Sequence, residues 1–259
     1  MAVLHGSLPV LPWRDPRLSR LPGIQPLDPA DWLRVDAAYA GQMAERERLI
    51  ATCPDAVHGL LPAAVAAARE LYDAVLPRLP GLGFAPEGGG WRCPDGRHVV
   101  PNPAQPLLSL GRLLQEDFCL MQDGPDGHHV LTGAILCFPA SWTLAEKLGR
   151  GLPGIHTPVA GYAGDLAVRV QRLFDAIRPE APLWRANALT YADPALHQPR
   201  REGQEKPPTR GPDGYVRSER QCLLRLPVSR AVVFSIHTYV VRADSLPSED
   251  LALLRQGRH

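Results

Sequence analysis

The chain has 259 residues, with 28 Lys and Arg against 27 Asp and Glu, for a formal net charge of +1. So even a balance leaves no surplus of cations to displace phosphate counterions, which argues against general nucleic-acid binding. The 23 glycines and 28 prolines are high for a globular protein but short of low complexity; no apolar run approaches the roughly 18 to 20 residues that cross a bilayer, and no secretory leader is expected at the start.

In chain order, the first 30 residues are punctuated by Pro9, Pro12, Pro16, Pro22, Pro26 and Pro29. They read as an extended arm lying on the surface of a domain that occupies 31–259. A helix is expected over 31–51, capped by Asp28 or Asp31, with Leu33, Ala37, Ala40, Met43, Leu49 and Ile50 near one face. A second is expected over 63–75, before Pro77 stops it. Gly88-Gly89-Gly90 has no strand before it and no amphipathic helix after it, so it reads as a turn rather than a phosphate loop. Residues 118–122 and 129–138 read as a β-hairpin about the turn 123–127. A short helix near 141–149, a loop over 151–164 and an amphipathic helix over 165–177 follow. Residues 197–214 form a long charged loop; strands over 221–226 and 231–241 and a helix over 248–256 complete the chain. The pattern is α+β, an antiparallel sheet with packed helices in a single domain.

Cys53, Cys93, Cys119, Cys137 and Cys222 are scattered and odd in number, as expected in a reducing, cytoplasmic setting. The absence of C-x-x-C argues against a chain-borne iron–sulfur cluster or covalently attached haem. There is no G-x-G-x-x-G or P-loop pattern, so a flavin or nicotinamide would come from a partner. Cys53 to His58 and Cys93 to His98 share a C-P-D-x-x-H pattern that would build a zinc site only if the two loops met. A G-x-S-x-G hydrolase elbow is also missing. Arg217-Ser218-Glu219-Arg220-Gln221 reads either as an exposed edge or as a strand mouth, with arginines for a carboxylate-bearing ligand and a carboxylate for an amine or a proton. Arg225, amid Leu223, Leu224 and Leu226, requires an anionic partner if buried. His156, beside Tyr162 in a loop framed by Gly154, Pro158 and Gly161, either bonds to backbone or presents a fixed imidazole to an iron. His237 and the pair His128-His129 read as solvent-facing.

Four blocks carry a family resemblance. They are Asp31-Trp32-Leu33 with Asp36 and Tyr39; Glu116 to Met121 with Cys137 to Trp142 and Glu146 to Gly149; Ile155-His156-Thr157-Pro158-Val159 with Gly161-Tyr162; and Ser218-Glu219-Arg220-Gln221 with Arg225-Leu226-Pro227, Phe234 and Thr238-Tyr239. Together they resemble the haem-dependent oxidative N-demethylase α-subunit-like proteins, over about residues 20 to 255. The resemblance implies a PAS-like fold holding haem b noncovalently. It implies O2-dependent oxidation of a small secondary amine such as dimethylamine, with NADPH electrons delivered through separate FMN and iron–sulfur subunits. It makes His156 the proximal iron ligand and Arg220, Arg225 and Lys147 candidates for pairing the propionates or polarising bound oxygen. Glu219 becomes the partner of a cationic amine, with Tyr162 a hydrogen-bond donor. Ala160 stands where the family has proline and Ala188 where it has tryptophan; the first would loosen the histidine loop and the second would strip an aromatic from the pocket wall. A haem-based gas or redox sensor without turnover is the alternative, and a haem-free domain a third reading.

Overall fold

The computed structural model describes residues 2–19, 22–156, 165–205 and 214–256. Its first half contains α1 (Pro16–Ser19), β1 (Gln25–Pro26), α2 (Tyr39–Thr52), α3 (Pro54–Val57), β2 (His58–Leu60), α4 (Val65–Val75), β3 (Ala85–Glu87), β4 (Gly90–Arg92), β5 (His98–Val99) and α5 (Pro106–Leu113). The second half contains β6 (Asp117–Asp123), β7 (His129–Ile135), α6 (Leu144–Lys147), α7 (Leu152–His156), α8 (Asp165–Ala176), β8 (Leu183–Tyr191), β9 (Tyr215–Arg225), β10 (Val232–Arg242) and α9 (Ser248–Gln256). Strands β3, β4 and β5 make a small separate sheet, whose first hairpin turns at Gly88 and Gly89, both at positive φ as a tight two-residue turn requires.

The large sheet runs β1-β8-β9-β10-β6-β7-β2 and is antiparallel throughout. Its spine is the pairing of β9 with β10, eleven residues in continuous register from Tyr215↔Arg242 to Arg225↔Val232. Alternation along these strands separates two faces. One carries Phe118, Leu120, Cys222 and Val233 and packs against α2, α4 and α5 in the largest core cluster. The other carries Cys119, Met121, Leu223, Val232 and Ile236 and packs against α6, α7 and α8. Trp13 from the N-terminal arm joins Ala188, Val216, Val241, Leu251 and Leu254 in a third cluster beneath α9, where its indole donates to Asp250 (2.8 Å).

Several expected boundaries move. The first long helix begins at Tyr39 rather than 31, because the residues before it bond to the sheet: the Trp32 indole donates to Ser235 (3.0 Å), and Asp36 reaches His237. α5 was not expected from the sequence; it buries Leu107, Ser109, Leu110, Gly111 and Leu113 and leaves Arg112 exposed. β8 was not anticipated, and β9 begins at Tyr215, so the polar run 217–221 lies in the interior of the sheet between two strands and is no exposed edge.

Two buried ionic centres tie these layers together. Arg46 of α2 donates to the Gly111 carbonyl (2.8 Å) and to Asp117 Oδ1 (2.7 Å), and Asp117 also accepts the Cys137 and Phe138 amides (2.7 and 2.9 Å). His237, expected at the surface, is 1% exposed and lies between Glu116 Oε1 (2.9 Å) and Asp36 Oδ2 (3.0 Å). Burial opposes its charge, but the carboxylates outweigh it and raise its pKa from 6.5 to about 9. Burial likewise works against the Asp36 carboxylate, yet hydrogen bonds from His237 and His5 hold its pKa well below the ordinary range.

The His237 imidazolium therefore contributes stability that is complete below about pH 6.5 and lost as pH rises through about 9, while the Asp36 contribution is lost below its ordinary 3.8. The melting temperature should fall across the upper window. His237→Gln should start lower and show a flatter pH profile there; parallel profiles in the two proteins would refute the assignment. Asp117→Ala, which strands a buried guanidinium and two amides, should lower urea-unfolding stability by about 3–5 kcal/mol.

Candidate functional site

Strand parity decides what the polar run on β9 can do. Arg217, Glu219 and Gln221 alternate with Ser218 and Arg220, and therefore share the face that carries α6, α7 and α8. Arg217 is buried and tied down on all sides. It donates to the Leu196 carbonyl (2.8 Å), to the Phe138 carbonyl, to Thr238 Oγ1 (3.3 Å) and to Glu219 Oε1 (3.1 Å). Glu219, 6% exposed, accepts at its other oxygen from Gln221 Nε2 (3.0 Å). Both carboxylate oxygens are thus oriented by fixed donors on the same strand.

Arg185 of β8 pairs in register with Gln221 and so reaches the same face. Its Nε is buried without an acceptor among the described residues. Burial lowers the Arg185 pKa below the ordinary arginine value, against the opposing pull of Glu219. Beside this polar group lies an apolar floor of Leu223 and Ile236, with Leu183 and Phe234 partly exposed, against Ile155 of α7 and Val170, Leu173 and Phe174 of α8. At the far end, Tyr191 is buried with its hydroxyl 3.5 Å from Ser141 Oγ, and Ser141 is held at φ 66°, a left-handed conformation unusual for serine.

The structure does not bring the expected residues together as one group. Arg220 points to the opposite face from Glu219, where it donates to the Trp32 carbonyl (3.0 Å) and the Asp31 carboxylate (3.0 Å) and lies over the Trp184 ring. Arg225 is buried without the anionic partner that burial was expected to require; its partners are carbonyls, those of Ile177 (2.7 Å), Phe174 (2.5 Å) and Arg230 (2.7 Å). It thereby satisfies the free C-terminal carbonyls of α8 with a cation, where the helix dipole favours one. Lys147 is buried and bonded to Glu202 (2.5 Å). His156 ends α7 on the face of Glu219, and only its backbone is described; Tyr162 and Ala160 lie outside the described residues. Ala188 faces away from Glu219, so its small side chain removes nothing from this wall; Trp13 packs into the same cluster.

Other candidates resolve similarly. His129 is buried, not exposed, and receives a 2.9 Å contact from Gln171. His98 bonds to the Glu87 carbonyl (2.8 Å), and among the described residues no group of three or more His, Cys, Asp or Glu is arranged to hold a metal ion. Burial pushes the Cys137 and Cys222 thiols up to about 12 and Cys119 still higher, which disfavours any of them as a thiolate ligand. Sequence reasoning missed Arg185 because β8 itself was missed; the alternation of Arg185 and Asn187 with Trp184, Ala186 and Ala188 was its signal.

The family model for "haem-dependent oxidative N-demethylase, alpha subunit-like" proteins matches residues 23–256. The chain belongs to this family. Membership makes it a haem-dependent, oxidative N-demethylase-like protein related to the alpha subunit of a larger assembly. The residues present fit such a group: a haem needs an apolar surface for its ring and donors for its carboxylates. The face has an apolar floor and, at its margin, a guanidinium nitrogen without an acceptor. No helix is long and apolar enough to cross a membrane among the described residues.

Because Arg225 anchors α8 to the sheet, Arg225→Met should lower the stability of the cofactor-free protein by about 2–3 kcal/mol in urea unfolding. An unchanged unfolding midpoint would mean the three carbonyl contacts carry no net stability.

Proposed function

We propose that this chain is the haem-binding subunit of an enzyme that removes a methyl group oxidatively from a small secondary amine such as dimethylamine. The observation that carries the reading is a carboxylate, Glu219, fixed at both oxygens beside an apolar floor, in a chain of a haem-dependent family. The five central strands, in chain order β6, β7, β8, β9 and β10, lie in the order second-first-fifth-fourth-third, which supports a PAS-like fold with α6 to α8 inserted over one face.

Glu219 accepts a hydrogen bond from the ammonium form of the amine and takes its proton, freeing the nitrogen lone pair. Arg217 and Gln221 keep that carboxylate in a single orientation, so that the amine is held with its methyl groups over Phe234 and Ile236. The apolar floor excludes water from the methyl carbon. His156, at the end of α7, is the residue that would hold the haem iron through its imidazole. Haem, if bound, would supply redox-active iron; the overall conversion consumes one O2, two electrons and two protons and yields methylamine, formaldehyde and water. Haem b fits a chain without C-x-x-C, and electrons from NADPH reach it through separate FMN and iron–sulfur subunits. All five cysteines are unpaired, in keeping with a reducing, cytoplasmic compartment.

The test is titration of the purified chain with haem, followed by amine-dependent O2 consumption with a supplied reductant. A stoichiometric Soret band is expected, lost or shifted in His156→Ala. Glu219→Gln should keep the Soret band and raise the KM for dimethylamine about tenfold or more. Failure of the unmodified chain to take up haem would overturn the proposal. Haem uptake without amine-dependent O2 consumption would favour a sensor.

A further inference from the structure

Cations carried by the large sheet differ sharply in how fully they are engaged. Arg217 is bound to Glu219 and two carbonyls, Arg220 to Asp31, Arg225 to three carbonyls and Arg242 to Asp244. Arg185 alone among these has no hydrogen bond or ion pair within the described residues, and its Nε is cut off from water. Unpaired guanidinium nitrogens also occur at Arg46, Arg97, Arg200 and Arg220, but in each of those residues another nitrogen is bonded. Arg185 is partly buried, but its Nε is shielded from water with no acceptor; such a donor is uncompensated, and a carboxylate is the acceptor a planar guanidinium fits best.

Position narrows what that carboxylate belongs to. Arg185 lies between Leu183 and Asn187 on the partly exposed side of β8, opposite Gln221 and next to the apolar floor. Two guanidinium groups, Arg185 and Arg217, face one carboxylate, Glu219, so this part of the face carries a surplus positive charge. A ligand that pairs with Arg185 there must join an apolar body to a carboxylate. Glu219 is already held by Arg217 and Gln221 and does not hydrogen-bond to Arg185.

We propose that Arg185 is the anchor for a propionate of the haem on this face, a role for which the family resemblance makes Arg220, Arg225 and Lys147 candidates. The inference rests on the haem-binding reading above and adds to it the residue that recognises the carboxylate. It divides the face into two ends: Arg185 takes an anion, and Glu219 a cation.

The experiment compares binding of haem and of haem dimethyl ester to the full cofactor-free chain, followed by absorbance. The unmodified chain should prefer free haem over the ester by roughly 10- to 100-fold, the value of one charge-assisted carboxylate pair. Arg185→Gln should lose that preference while binding the ester as the unmodified chain does. Arg185→Lys, which keeps the charge without the fork, should retain a reduced preference and decides the matter if the glutamine variant fails to fold. Equal affinity of the unmodified chain for haem and ester, or a full preference surviving in either variant, overturns the assignment to Arg185 and leaves haem binding intact. Uptake of neither compound by the unmodified chain overturns the haem reading and this inference with it.

Discussion

A chain of buried charge links the helical scaffold to the site. Arg46 holds Asp117, and Asp117 takes the amide of Phe138. The Phe138 carbonyl accepts from Arg217, and Arg217 pairs with Glu219. Each link is buried, and each leaves an unsatisfied partner if broken, which makes the arrangement expensive to deform. α2, α5, the turn after β7 and the central strand β9 therefore share one positional constraint. Glu219 inherits its placement from a helix on the other side of the sheet.

Strand parity then separates the polar groups of β9 into two sets. Along five consecutive residues of β9, Arg217, Glu219 and Gln221 face the helices α6 to α8, while Ser218 and Arg220 face the N-terminal segment. Arg220 and His237 serve that second face, fastening residues 31–36 through Asp31, Asp36 and Glu116. The same strand pair thus holds the chain's start in place on one side and presents a fixed carboxylate on the other. Such division is economical only in a strand with neighbours on both edges, because backbone pairing is then complete and side chains alone differ between faces.

Family membership and geometry bear on different questions. The family match brings haem dependence and N-demethylase-like chemistry. Geometry distinguishes the cations: Arg225 and Lys147, plausible anion partners by sequence, are engaged by α8 carbonyls and by Glu202, while Arg185 stands open beside the apolar floor. A cation's availability depends on what reaches it, and arginines of equal appearance in sequence end up in opposite surroundings.

Local pattern alone established the α+β class, the central hairpin, α4, α8, α9 and the β9–β10 pair, since each depends on periodicity, on caps or on turn residues within a few positions. The motifs at 31–39, 116–149, 155–162 and 218–239 were enough to indicate the family. The late start of α2, the packing of α5, the burial of His129 and His237 and the partners of Arg220 and Arg225 were decided only by tertiary structure. Each of these involves at least one partner 40 or more residues away, as with His237 and Glu116, separated by 121 positions, or Arg220 and Asp31, separated by 189. A single sequence records a residue's chemistry but not which distant carbonyl or carboxylate will occupy it, and for buried charge that partner determines the role.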